Sequence, residues 1–289
     1  MRLLHAESKR LEEFLEDQIP PYAILSHRWG PNELTYQDVA DCLIFPDDDK
    51  IDGCCKQAIT DGLEYVWVDT ICIDKSSSSE LSESINSMFA WYRDSQVCYA
   101  YLSDVTSELR YVSKDSLFRR SEWFLRGWTL QELLAPRIVR FYTKLWKFIG
   151  STEPSERRFC TLLQEITAIP KGVLIGSQPI THSSVATRMR WAAKRRTTRK
   201  EDIAYCLLGV FGVNMSLIYG EGENAFKRLQ EEIIRQSDDE SIFAWGLGWP
   251  GDRDLSQRLL AKSPTDFMGC DDIRVLSGVW PAVFSDQGL

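Results

Sequence analysis

The sequence predicts an α/β fold, a parallel sheet flanked by helices, followed by a mainly helical C-terminal extension. Up to about residue 150, short apolar runs of strand length alternate with helical patterns. Beyond that point the alternation stops and the apolar residues recur at helical spacing. Strands that alternate with helices imply parallel pairing through right-handed crossovers. We therefore expect an α/β core over 1–150, a helical half packed on it over 151–245, and a C-terminal extension over 246–289.

Four strands are predicted in the first half. Each is an apolar run of five or six residues bounded by turn-forming residues, which indicates a buried strand. The runs are 22–26, 65–69, 97–102 and 138–142.

Three helices are predicted between and after these strands, at 54–63, 81–92 and 128–135. The first presents Cys55, Ala58 and Ile59 to the core by its spacing. Ser77 and Glu80, which precede the second, fit a capping box.

The second half is predicted to be helical at 185–193, 201–210 and 224–234. Glu201 and Asp202 lie in a first helical turn, where acids favour the positive end of the helix dipole, so a capping role is expected. The basic stretch at 194–200 is expected to be a solvated helix end, with a phosphate-binding patch as the alternative. The apolar segments 241–245 and 259–261 are expected to pack back onto the domain.

Composition excludes several classes of protein. The net charge of −8 argues against a general affinity for nucleic acid or anionic membranes. An apolar content of 44% with ten tryptophans indicates a packed globular core, and no apolar stretch reaches the length of a membrane span. Eight cysteines without a CxxC pair suggest reduced, buried thiols, and three histidines provide no metal cluster. We expect a cytoplasmic protein without a metal.

The most informative segment is RGWTLQELLAP at 126–136. Trp128 and Glu132 are four residues apart and share one face of a helix. A carboxylate held against an indole among leucines is partly desolvated, as catalytic and ligand-binding carboxylates often are. The alternative is a core helix that carries one surface glutamate.

Polar residues also follow the first two strands. SHRW at 26–29 and DTICID at 69–74 stand at the carboxyl ends of strands, where open α/β sheets bind ligands. Cys72 could act as a nucleophile with His27, but its apolar neighbours favour an inert buried thiol.

Five blocks together resemble the fungal heterokaryon-incompatibility (HET) domain. They are YAILSHRWG at 22–30, WVDTICID at 67–74, RGWTLQELLAP at 126–136, TRKEDIAY at 198–205 and LIYGEG at 217–222. The resemblance implies a role in programmed cell death after incompatible hyphae fuse. Similar domains also head fungal NLR-type receptors, which makes such a receptor, or another HET-containing protein, an expected partner.

The first half more distantly resembles a TIR domain, whose sheet is flavodoxin-like. The WxxxEL pattern of Trp128 to Leu133 is similar to the helix whose glutamate plant TIR domains need for NAD cleavage. The resemblance implies that Glu132 is catalytic and that NAD is a substrate, with no separate cofactor.

Six further residues are expected to bind this substrate. Nicotinamide leaves NAD as a neutral group, so one carboxylate that stabilises the oxocarbenium-like transition state can suffice. Arg28 suits a diphosphate, and Asp69 could hold a hydroxyl, orient a neighbour or only cap its loop. The full set of expected binding residues is Ser26, His27, Arg28, Trp29, Asp69 and Trp128.

Two functions from different classes remain open at this stage. The first is a TIR-like NAD glycohydrolase that consumes NAD when its molecules self-associate. The second is a non-enzymatic death-signalling module that acts by homotypic assembly or receptor docking, with an interface that includes the 224–234 helix.

Overall fold

Seven strands form one mixed sheet at the centre of the fold. The structure is a computed structural model, and it describes residues 1–40, 42, 44–107, 111–247, 258–270 and 273. The strands are β1 (Arg2–His5), β2 (Leu11–Glu13), β3 (Tyr22–His27), β4 (Tyr65–Trp67), β5 (Val97–Leu102), β6 (Val139–Thr143) and β7 (Phe148–Ser151). Their order across the sheet is β2-β1-β4-β3-β5-β6-β7.

The centre of the sheet is parallel and its edges are antiparallel. β3 pairs in parallel with β4 on one side and β5 on the other, and β5 pairs in parallel with β6. β1, β2 and β7 pair antiparallel. The α/β class is thus confirmed, while the expectation of a wholly parallel sheet is wrong at the edges. The short connections from β1 to β2 and from β6 to β7 can join only antiparallel neighbours, and β1 also runs antiparallel to β4.

Helices cover the sheet and build the second half. They are α1 (Tyr36–Val39), α2 (Asp49–Thr60), α3 (Asp69–Cys72), α4 (Ser78–Asp94), α5 (Thr129–Leu134), α6 (Arg157–Thr167), α7 (Lys171–Leu174), α8 (Val185–Ala192), α9 (Asp202–Tyr205), α10 (Leu208–Phe211) and α11 (Asn224–Gln236). The 3-10 turns are Glu16–Gln18, Glu122–Leu125, Ile180–His182, Glu240–Phe243 and Pro264–Phe267.

Two sequence expectations about the first helices need correction. α2 begins earlier than predicted because the Asp48 side chain accepts hydrogen bonds from the first amides of the helix. Ile59 is 50% exposed and does not join the core. The capping box before α4 is only half formed. Ser77 accepts a bond from the Glu80 N–H, but the Glu80 carboxylate instead pairs with Arg2 at 2.6 Å.

The second half differs from expectation in one connection. The single helix expected over 201–210 is divided into α9 and α10, because the Leu207 N–H bonds the carbonyl of Ala204, three residues back, where a continuous α-helix would bond four residues back. α6 and β7 were not predicted. Both supply buried side chains to the core.

One hydrophobic core runs through both halves of the described chain. α10 lies against α4, and the apolar face of α11 is buried, including Phe226 and Leu229. That face is therefore not the free interface that the non-enzymatic hypothesis assumed. The segments near 241–245 and 259–261 pack back as predicted, with Trp245 donating to the Leu259 carbonyl at 3.0 Å. Most of the extension expected over 246–289 lies outside the described residues.

All eight cysteines are free, as the spacing predicts. Seven are buried, but Cys42 is exposed, which corrects the expectation for that residue. Among the helices that the structure describes, none combines the length and apolarity that a membrane crossing requires.

The contact between the two halves is tight at Gly209. A Cβ added there would lie 2.1 Å from the Cβ of Phe89 on α4. We expect Gly209→Ala to lower the free energy of unfolding by about 1–3 kcal/mol, because overpacking forces neighbouring backbone apart. Urea unfolding followed by circular dichroism measures it. Gly30→Ala is the control, since its Cβ would meet Glu33 at an ordinary 3.5 Å. An unchanged midpoint for Gly209→Ala would contradict the tight contact.

Candidate functional site

A cavity of about 460 Å³ opens at the carboxyl edge of the parallel strands. The chain moves from β3 to β4 on one side and then crosses to β5 on the other, so β3 marks the point where the strand order reverses. Such a reversal leaves a crevice between the loops, and open α/β sheets bind ligands there. Charged lining residues come from both halves of the chain and include Arg28, Asp69, Lys75, Arg126, Glu132, Arg196, Arg199 and Asp202.

Glu132 forms part of the inner wall. It lies on α5, is only 7% exposed and lines the cavity together with His27 and Asp69. Ser26, at the end of β3, donates a short hydrogen bond to the Glu132 Oε2 atom. The Ser26 hydroxyl is itself fixed by the Trp123 indole N–H at 2.9 Å. The predicted carboxylate is therefore shielded from water and tied to the central strand.

Burial raises the pKa of Glu132 to about 8. The hydrogen bond from Ser26 and the positive charges of Arg126 and Arg195 oppose this rise, while the negative charge of Asp69 adds to it. In the ligand-free protein at neutral pH the carboxyl group is therefore mainly protonated. A positive charge brought next to it would favour ionisation.

Arg195 holds the start of α5 in place. Its Nη1 atom donates at 2.8 Å both to the Arg126 carbonyl and to the Thr129 hydroxyl. The side chain is 6% exposed, and burial lowers its pKa to about 10. The expectation of a solvated helix end at 194–200 is wrong for this residue, because the segment folds back onto α5. A parallel bridge pairs Arg126 with Arg196 next to it.

Asp69 and Trp29 form one side of the cavity mouth. The Trp29 indole N–H donates to the Asp69 carboxylate at 2.8 Å. The Lys75 ammonium lies 3.5 Å from the centre of the Trp29 ring and 4.0 Å from Asp69. Trp29 is 42% exposed, so one aromatic surface is presented at the entrance.

His27 lies between two carboxylates. Its Nε2 atom is 3.4 Å from Glu33 and its Nδ1 atom 3.8 Å from Asp69. Burial alone would raise the pKa of Glu33, but the neighbouring His27 and Lys50 outweigh it and lower that pKa to about 2. Within the described chain, neither ring nitrogen of His27 has a hydrogen-bond partner.

The opposite wall comes from the second half. The Tyr219 hydroxyl donates to the Asp202 carboxylate at 3.0 Å, and Trp128 lies beside the same carboxylate. The Arg199 guanidinium lies 4.4 Å from the centre of the Tyr219 ring. Glu201 has a different role from the predicted cap, since its carboxylate accepts the amide N–H groups of Gly220 and Gly222. It thereby fixes the loop that carries Tyr219.

The structure brings the sequence-predicted residues together. His27, Arg28, Trp29, Asp69, Trp128 and Glu132 line one cavity, and Ser26 lies behind it in contact with Glu132. The lining residues that were not predicted include Lys75, Arg126, Arg196, Arg199, Asp202 and Tyr219. The blocks at 198–205 and 217–222 held a signal for the last three, because they belong to the same resemblance as the strand-end motifs.

Cys72 is not a credible nucleophile in this site. It is buried, and burial raises the pKa of its thiol to about 12. A thiol held protonated in this way is inert. Across the ranges that the structure describes, no group of three or more His, Cys, Asp or Glu side chains is arranged to hold a metal.

The buried Glu132 makes stability depend on pH. The pKa of Glu132 is about 8 in the folded protein, against an ordinary value of 4.5. Its contribution to the free energy of unfolding is therefore complete below about pH 4.5 and is lost as the pH rises through 8. We expect Glu132→Gln to match the wild type near pH 5 and to be more stable by a few kcal/mol near pH 9, at about 1.4 kcal/mol per pKa unit. Urea titrations at both pH values test this.

Glu122→Gln is the matched control, since Glu122 lines the same cavity but is exposed. The difference in free energy of unfolding between Glu122→Gln and the wild type should not change with pH. A Glu132→Gln protein equally destabilised at pH 5 and pH 9 would show that the carboxylate is not buried.

Comparison with known proteins agrees with the sequence motifs. The family model described as "Heterokaryon incompatibility protein (HET)" matches residues 22–117, and one described as "Domain of unknown function (DUF8212)" matches residues 224–257. The chain is 46% identical over 246 residues to "Vegetative incompatibility protein HET-E-1" of Podospora anserina. That alignment covers 81% of this chain but only 18% of the relative. No solved structure matches. From the family match and this identity we conclude that the chain carries a heterokaryon-incompatibility (HET) domain.

Proposed function

We propose that this chain is an effector of fungal heterokaryon incompatibility that acts as a TIR-like NAD glycohydrolase. Glu132 is its catalytic carboxylate, the nicotinamide–ribose bond is the bond cleaved, and self-association in the cytoplasm activates it. The observation that carries the proposal is the shielded Glu132 on the wall of a ligand-sized cavity at the carboxyl edge of the parallel strands.

The incompatibility role is inferred from the HET domain and from the name of the relative, a vegetative incompatibility protein. Because the chain spans 18% of that protein, the role extends to this chain only as a proposal. A cell-death outcome and an NLR-type or HET-containing partner belong to the same inference.

The strand order supports the TIR-like assignment. Across the sheet the parallel strands stand in the order β4-β3-β5-β6. Numbered along the chain, this order is second, first, third, fourth. Flavodoxin-like sheets have this order and bind their ligands where it reverses. In this chain the reversal lies beside the Glu132 cavity.

The chemistry needs one carboxylate. Nicotinamide is positively charged in NAD and leaves as a neutral molecule, so no proton donor is required. The same positive charge, on entering the cavity, lowers the pKa of Glu132 and favours its ionised form. The carboxylate then lies opposite the positive charge that develops on the ribose. A fixed group in a dry site stabilises such a charge strongly.

The remaining cavity residues match the rest of the substrate. Arg28, Arg196 and Arg199 line the cavity, and guanidinium groups bind diphosphates through paired hydrogen bonds. Asp69 is available for a ribose hydroxyl, and the exposed ring of Trp29 offers a surface for stacking. The arginines of the cavity are thus matched to the diphosphate of NAD, and Asp69 is matched to a ribose hydroxyl.

Loss of Glu132 should abolish nicotinamide release. We expect Glu132→Gln to lower the rate by about 10² or more, because the transition-state charge loses its fixed partner. Nicotinamide is quantified chromatographically after incubation with NAD under conditions that promote clustering. Glu122→Gln, in the same cavity but exposed, should stay within about threefold of the wild type.

The same pair of variants separates the two classes of function. Equal nicotinamide release from wild type and Glu132→Gln would exclude the catalytic role of Glu132. If Glu132→Gln nevertheless retains full toxicity in cells, the non-enzymatic assembly hypothesis gains support, through surfaces other than the buried face of α11.

The pH dependence of kcat/KM should follow the free protein's Glu132. We expect the rate to rise with pH up to about 8, since the ionised carboxylate is the active form. In Ser26→Ala the hydrogen bond that favours ionisation is lost, so the rise should move to higher pH. Initial rates between pH 5.5 and 9.5 measure the shift. An unmoved profile would exclude Glu132 as the titrating group.

A further inference from the structure

A second cavity of about 500 Å³ lies on the other side of Leu125 from the Glu132 site. It is bounded by the 3-10 turn at 122–125, the end of α6 and the end of α8. Its five cationic side chains are Arg119, Arg120, Arg190, Lys194 and Arg195.

The charge of this cavity is opposite to that of the chain. Glu165 is the one carboxylate among its described lining residues, and it already pairs with Arg119 at 2.6 Å. The chain as a whole carries a formal charge of −8. A concave, cation-rich surface on an acidic protein concentrates positive potential and attracts small anions.

Two donors in the wall, on Arg195 and Trp191, have no partner among the described residues. Arg195 uses Nη1 and Nε for hydrogen bonds to α5 and to the Trp191 carbonyl, whereas its Nη2 atom bonds no described residue. The Trp191 indole N–H is also buried without a partner in the described chain. Both residues are more than nine-tenths buried. Buried donors are normally satisfied, so the unpartnered Trp191 N–H leaves room for an acceptor.

Arg195 also forms no ion pair with a carboxylate of the described residues. A buried cation without an anionic partner is costly, and an anion bound next to it would relieve that cost. The residue faces this second cavity and is not among those that line the Glu132 cavity.

We propose that this basic cavity is a second binding site that takes a phosphorylated small molecule of nucleotide size. The guanidinium and ammonium groups bind its phosphates. Phe124, Leu125 and Met268 provide an apolar wall for its ring system. The site does not depend on NAD cleavage, since none of its five cations lines the Glu132 cavity.

The test is isothermal titration calorimetry of the full chain with inorganic pyrophosphate and with ADP, at one fixed ionic strength. We expect saturable binding to the wild type. Lys194→Glu combined with Arg120→Glu should weaken it at least tenfold, because two exposed cations of the wall are reversed. The neutral pair Lys194→Gln with Arg120→Gln should weaken it at least threefold, which provides a second measurement if charge reversal disturbs folding.

Two controls locate the bound anion. Lys56→Glu with Lys200→Glu makes the same change in net charge at exposed positions that line neither cavity, and should stay within about twofold of the wild type. Arg199→Glu changes the Glu132 cavity alone. It should remove any diphosphate bound in that cavity and leave in place the binding that depends on Lys194 and Arg120. Absence of saturable binding, equal weakening by the Lys56 and Lys200 pair, or loss of binding only in Arg199→Glu would each overturn the proposal.

Discussion

The hydrogen bond from Ser26 to Glu132 is the interaction on which the site depends. A carboxyl group at this depth has lost most of its water, so its position and charge are set by the few groups that touch it. Ser26 comes from the central strand, Glu132 from a six-residue helix, and Trp123 fixes the hydroxyl between them. The contact therefore has two effects. It joins the sheet to α5, and it contributes to the pKa of the carboxyl group.

The central strands could be predicted because their residues are apolar throughout. β3 and β5 are buried on both faces, so each forms an unbroken apolar run that local pattern reveals. β1 and β2 could not be predicted in the same way. Both are short and carry charged residues, and β2 is a partly exposed edge strand. Only their pairing with the rest of the sheet gives them strand form.

The candidate site was predictable only in part, for a related reason. Asp69 and Glu132 are marked by local sequence, one following a strand and the other on an apolar helical turn. Arg199 and Tyr219 lie far away along the chain and reach the cavity through packing of the second half. No local periodicity in the sequence predicts that these two residues lie beside the cavity. The buried Arg195 illustrates the same limit, since a basic stretch is ordinarily solvated until tertiary structure covers it.

The bridge between Arg126 and Arg196 has a consequence for how this domain can be divided. The Gly127 N–H donates to the Arg196 carbonyl at 2.8 Å, and the Arg196 N–H donates to the Leu125 carbonyl at 2.6 Å. These strand-like hydrogen bonds join the segment before α5 to a segment about seventy residues later. The family match at 22–117 stops short of both. A fragment limited to residues 22–117 would contain β3, β4 and β5. It would lack α5 and the residues of the second half that line the cavity.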